Sequence, residues 1–109
     1  MASTLKKLAQ AQFGIADAVV YTAPAGTTTV ITAIVLCNTD TSDRTFRLHQ
    51  VDAAGSSSAA NALFYDLAVA AKRTFMPPTG LILQAGQMLR GLASAATVVT
   101  ISVFGIERV

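Results

Sequence analysis

Residues 18–38 read AVVYTAPAGTTTVITAIVLCN, and the fold turns on how this stretch is read. Ala18–Thr22 is a β-branched and aromatic run that stops at Ala23-Pro24-Ala25-Gly26. There Pro fixes φ at the second position of a turn and Gly takes the fourth, as type I turns prefer. Thr27–Asn38 then continues in Thr, Val and Ile, side chains that suit a pleated surface. Its two alternating sets, Val30, Thr32, Ile34, Leu36 and Ile31, Ala33, Val35, Cys37, are both apolar. A strand apolar on both sides is expected to be covered on both, by the domain core on one and by a neighbouring subunit on the other.

The rest of the chain repeats the same grammar. After the polar loop Asn38–Asp43, Arg44–Val51 alternates, with Phe46 and Leu48 on one face and Arg47 and His49 on the other, the pattern of a half-buried strand. Ala62–Ala70, Lys72–Met76, Leu81–Leu83 and Met88–Ala93 follow as short strands. They are set off by the serine-rich loop Ala54–Asn61, by Pro77-Pro78-Thr79-Gly80 and by the turn Gln84–Gln87. Thr97–Ile106 is the clearest strand, with Val99, Ile101 and Val103 on one face. The core is expected in Val30–Leu36, Leu63–Val69 and Val99–Val103. Short strands with turns roughly every 8–12 residues, and no helical pattern between them, predict an all-β antiparallel sandwich or barrel.

The first residues are less decided. Leu5, Leu8, Ala9 and Gln12 would share a helix face behind a Ser3 or Thr4 cap, while Leu5, Lys7, Ala9, Ala11 and Phe13 alternate as in a strand. Both readings stay open. The chain is expected to divide into an N-terminal arm, residues 1–16, and a β-sandwich domain, residues 17–109. The arm would dock on the sheet or on another chain, so deleting residues 1–13 should leave a folded domain. Met1–Lys7 does not lead into the apolar stretch of about 7–15 residues that a secretory signal requires, so none is expected.

Composition narrows the function. The 109 residues are 52% hydrophobic and 13% charged, against about 25% charged in a typical soluble domain. Disordered chains are poor in apolar residues and rich in charge, so disorder is excluded. No apolar run exceeds Ala33–Cys37, far short of the roughly 20 residues of a membrane helix, so no membrane partner is expected. The net charge of +2 comes from scattered residues, and there is no Trp. A nucleic-acid footprint would be a continuous basic stripe with aromatic platforms, so none is expected either. Cys37, the single cysteine, allows no internal disulfide and reads as a small buried hydrophobe. A surface this poor in charge suits packing against partners, so a homo-oligomer is expected; a trimer is the favoured form, though nothing in the sequence fixes the number of subunits.

Catalysis finds no foothold. His49 is the single histidine, and Asp52, three residues on, would point to the other face of a strand. No nucleophile elbow, zinc-protease motif or phosphate-cradling loop is present. Asp66, inside an apolar segment, is expected to face solvent or to pair with an arginine such as Arg90 or Arg73. Asp40 and Asp43 are a thin ligand set for calcium, which takes about six to eight oxygens. The chain is therefore expected to be no enzyme and to need no cofactor or metal.

Several blocks carry a resemblance. They are Tyr21–Val30, Ile34–Thr39, Asn61-Ala62-Leu63, Gly80–Arg90 and the closing Val103–Glu107. In order and spacing they resemble small structural proteins of tailed bacteriophage virions. The resemblance implies a jelly-roll-like β-sandwich that serves as a capsid decoration or cement protein, or as a tail, baseplate or neck component. It implies a virion location and a major capsid protein as partner. Partner contacts are expected from Leu5, Leu8 and Phe13 of the arm and from exposed Arg44, Arg47 and His49. A glycan-binding β-sandwich is the alternative from another class.

Overall fold

Most strands form where β-branched and aromatic residues cluster, and most are followed within three residues by Pro, Gly, Asp or Ser. The computed structural model describes residues 3–77 and 79–109. Nine strands follow one another: β1 (Ser3–Gln12), β2 (Ala18–Thr22), β3 (Thr28–Asn38), β4 (Arg44–Val51), β5 (Ala62–Val69), β6 (Thr74–Phe75), β7 (Leu81–Leu83), β8 (Met88–Ala93) and β9 (Val99–Arg108). One short 3₁₀ turn, Ala59–Asn61, precedes β5.

The strands build two antiparallel sheets. The first runs β1-β9-β3-β6, with β7 pairing with β3 beside β6, and the second runs β2-β8-β4-β5. Apart from the β4–β5 pair and the β6–β7 step, successive strands lie in opposite sheets. This is the jelly-roll order, with β6 and β7 sharing the place of one strand. The fold is the all-β sandwich that the strand pattern predicts.

The open question at the N-terminus is settled in favour of a strand. β1 pairs along its length with β9, from Ser3 opposite Arg108 to Gln12 opposite Thr100. Phe13 then leaves the first sheet and enters the core. It stacks on Phe46 of β4 at 6.4 Å between ring centroids, and Phe46 in turn meets Phe64 and Phe75 at 5.5 and 6.5 Å. Gly91 on β8 leaves room for this ring, since a Cβ there would stand 2.7 Å from Phe13 Cε1. Residues 3–13 therefore supply an edge strand and a core aromatic.

Bulges decide which side chains face in. In β3 the register against β9 slips between Ile31 and Ala33, so Thr32 turns outward. The inward set is therefore Thr29, Ile31, Ile34, Leu36 and Asn38, which mixes the two sets that strict alternation predicts. Cys37, expected in the core, is half-buried on the outer face. In β5 the slip lies beside Asp66, whose φ of +55° is left-handed. Tyr65–Ala68 are exposed in consequence, and of the expected core segment Leu63–Val69 only Val69 is fully buried.

Candidate interaction surface

Residues directly opposite one another on neighbouring strands share a face of the sheet. On the outer face of the first sheet, Leu5 stands opposite Ile106, Ile106 opposite Val30, and Val30 opposite Ile82. Four apolar side chains thus form one row across the full width of the sheet. Leu5 is 75% exposed and Ile82 55% exposed. The next row holds Lys7, Phe104 and Ala33. Toward the other end the face becomes polar, with Gln10 Nε2 donating to Ser102 Oγ at 2.9 Å. Lys7 and Arg108 are charges on this face, and among the described residues neither makes an ion pair.

A polar tie holds the row's end of the molecule. Lys6 Nζ lies 2.6 Å from Glu107 Oε1, and the Tyr21 hydroxyl donates to Glu107 Oε2 at 2.5 Å. Tyr21 also hydrogen-bonds Thr29 Oγ1 at 2.9 Å, so the tie spans β1, β9, β2 and β3 and joins both sheets. The hydrogen bond from Lys6, and then that from Tyr21, holds the Glu107 carboxyl below its ordinary value. Burial, reinforced by Glu107, pushes the Tyr21 hydroxyl up to about 12.

The outer face of the second sheet is built differently. Arg47 forms a bidentate pair with Asp66, at 2.7 and 3.0 Å, and lays its guanidinium 4.0 Å above the Tyr65 ring. That hydrogen bonding lowers the Asp66 carboxyl and raises Arg47. Arg90 Nε stands 2.8 Å from Asp17 Oδ2, an ion pair off the hydrogen-bonding line, and Asp17 Oδ1 accepts from Ser57 Oγ. His49 Nδ1 lies 3.0 Å from Asn61 Oδ1. Asn61 also accepts from the Ser58 backbone and donates to the Ser56 carbonyl, which pins the segment between β4 and β5 across this face.

The residues expected to meet a partner fall into distinct places. Leu5 is exposed in the apolar row. Leu8 sits at the β1 bulge and packs against the core. Phe13 is 4% exposed, a core residue. Arg44 is held by Asp40 at 2.6 Å, which lowers the Asp40 carboxyl. Arg47 is engaged by Asp66, so the arginine partner of that carboxylate is neither Arg90 nor Arg73. His49 was expected outside and is 3% exposed. It does stand outward by strand register, opposite Arg90, but the Ser56–Asn61 segment covers it. Alternation assigns a face, not what lies over it. Of the row residues, Ile82 and Ile106 carry no signal of their own in the sequence, and Val30, expected in the core, stands half-buried on the outer face because Ile31 beside it points inward.

Among the described residues no three metal-ligating side chains stand together. Asp43 accepts from the Ala71 backbone, well occupied without an ion. A cavity of about 170 Å³ between β3, β5 and β7 is lined by Ile34, Leu63, Phe64, Thr79 and Leu81. Its one hydroxyl, that of Thr79, already donates to Pro77.

No protein-family model matches the sequence, and no curated protein does. The fold is similar to that of a chain in a solved structure of infectious bursal disease virus, Gx strain, with a TM-score of 0.51 and 11% identity over 97% of this chain. A Gt-strain structure gives a TM-score of 0.50 at the same identity and coverage. This chain spans 32% of the length of each viral chain, so the likeness is one of fold, to a single part of a larger viral protein.

Proposed function

We propose that this protein is a structural component of a virion, most simply a capsid cement or decoration protein. The observation that carries the reading is the uncovered apolar row across one outer sheet face of a charge-poor jelly roll. The likeness in fold to chains of a virus, and the sequence resemblance to phage virion proteins, support it. A cement protein works mechanically. It binds the outside of the shell across the joints of the major capsid protein, and a contact present only in the assembled lattice draws the equilibrium toward the intact shell. The glycan-binding alternative wants an open aromatic platform, and the face of Tyr65, the exposed aromatic of β5, is occupied by Arg47.

The test is the number of copies per purified particle, by quantitative mass spectrometry. A count comparable to that of the major capsid protein is expected. A far lower count, matching a ring or spike, would place the protein in a tail, baseplate or neck instead. Absence from particles would overturn the virion reading.

A further inference from the structure

The apolar row is built to meet itself. We propose that the outer face of the β1-β9-β3-β6 sheet pairs with the same face of a second copy about a twofold axis parallel to the strands. The row reads Leu5, Ile106, Val30, Ile82 from one edge to the other. Its two ends are highly exposed, and its two middle members are half-buried. The twofold turns the row end for end, so that Leu5 meets the partner's Ile82 and Ile106 meets the partner's Val30. Each contact then occurs twice, which is the requirement of an isologous interface.

Charge favours the same arrangement. Both cations of the face, Lys7 and Arg108, lie in the β1 and β9 half, and the β3 and β7 half carries none. The twofold places the charged half of each copy over the neutral half of the other. The backbones of the two Lys7 positions then stand about 17 Å apart, at opposite edges of the paired faces.

The area is sufficient. Four strand positions of about 4.8 Å, along strands of about 3.4 Å per residue, give the face about 650 Å². Two such faces bury about 1,300 Å², above the roughly 1,000 Å² of a specific interface. The pairing sets a twofold dimer in place of the trimer expected from composition.

Sedimentation velocity of the full chain over a concentration series tests it. Wild type should run as a dimer of the 11.3 kDa chain. Leu5→Glu alone and Ile82→Lys alone should run as monomers with an unchanged β-type circular dichroism spectrum, because both positions are exposed. An equimolar mixture of the two variants should recover a dimer, since the twofold brings the new carboxylate of one chain to the new ammonium of the other. A monomeric or trimeric wild type would overturn the proposal, as would single variants that stay dimeric or a mixture that stays monomeric. The pairing is separable from the virion reading: a dimer absent from particles would leave the one and end the other.

Discussion

The two outer faces of this sandwich obey opposite rules. On the β2-β8-β4-β5 sheet the chain answers its own charges: Asp66 pairs with Arg47, Asp17 with Arg90, and the Ser56–Asn61 segment lies over His49, while Val19 and Tyr65 stay about half exposed. On the β1-β9-β3-β6 sheet it leaves an apolar row open and two cations unpaired. Both faces use strands of the same kind, so strand propensity does not explain the difference. It lies in where the long connection goes. The segment between β4 and β5 folds back over its own sheet, whereas Leu5 and Ile82 of the other stay exposed. A face whose charges are internally paired has little left to offer a partner, whereas an uncovered apolar row gains from any surface that excludes water.

The largest expected effect tests whether the two faces belong to one cooperative unit. Phe13 leaves the strand that edges the open face and stacks against Phe46 beneath the covered one. Phe13→Ala removes a buried aromatic and should cost about 3–5 kcal/mol. At about 4–8 °C per kcal/mol for a domain near this size, Tm should fall by at least about 12 °C. Thr22→Ala, at an exposed position of β2, should leave Tm nearly unchanged. Differential scanning calorimetry of both variants checks the pair. A Phe13→Ala domain that melts like wild type would make β1 a detachable arm after all.

A smaller effect should follow from uncovering the closed face. Asn61 accepts from both His49 Nδ1 and the Ser58 amide, and donates to the Ser56 carbonyl. Asn61→Ala leaves the buried His49 donor without a partner, at a cost of about 1–3 kcal/mol. Amide hydrogen exchange should speed up through residues 56–61 and stay unchanged in β9. If protection is lost evenly across the molecule, the segment is not an independent cover and the contrast between the faces weakens.

Much of this contrast was legible before any coordinates, though unevenly. The bounds of β2, β4, β7 and β8 follow directly from runs of Val, Leu and Phe between turn residues. The doubly apolar β3 pointed to an outer partner, and the open row contains its Val30. What could not be read is register. The slips at Thr32 and beside Asp66 arise from pairing with strands far along the chain, and each reverses the facing of every residue beyond it. That is why strict alternation misassigned part of β3 and put Leu63–Val69 in the core. His49 shows a second limit. Its outward direction was read correctly, but its cover comes from a polar loop whose Ser and Asn residues look, in sequence, like any solvated connection.

The smallest effect belongs to the polar tie at the row's end, and it is visible through pH. Glu107 is held below the ordinary glutamate value of 4.5, first by the Lys6 hydrogen bond and then by that from Tyr21. A carboxyl depressed in the folded state adds stability above its unfolded pKa and loses it as pH falls through the folded one. Lys6 is 46% exposed, so this contribution at neutral pH is about 0–1 kcal/mol. Glu107→Gln should therefore melt slightly below wild type at neutral pH, and the two curves should converge as pH falls below 4.5. The alkaline side runs the other way. The Tyr21 hydroxyl is raised from 10.0 to about 12, so its share is intact below 10.0 and fades as pH rises toward 12. Urea denaturation of both chains across pH reads the difference, since the Arg47–Asp66 and Arg44–Asp40 pairs are common to the two. Curves that stay parallel into acid would mean that Glu107 titrates alike in the folded and unfolded chain, and that the open face's edge strand is held by its backbone pairing with β9 alone.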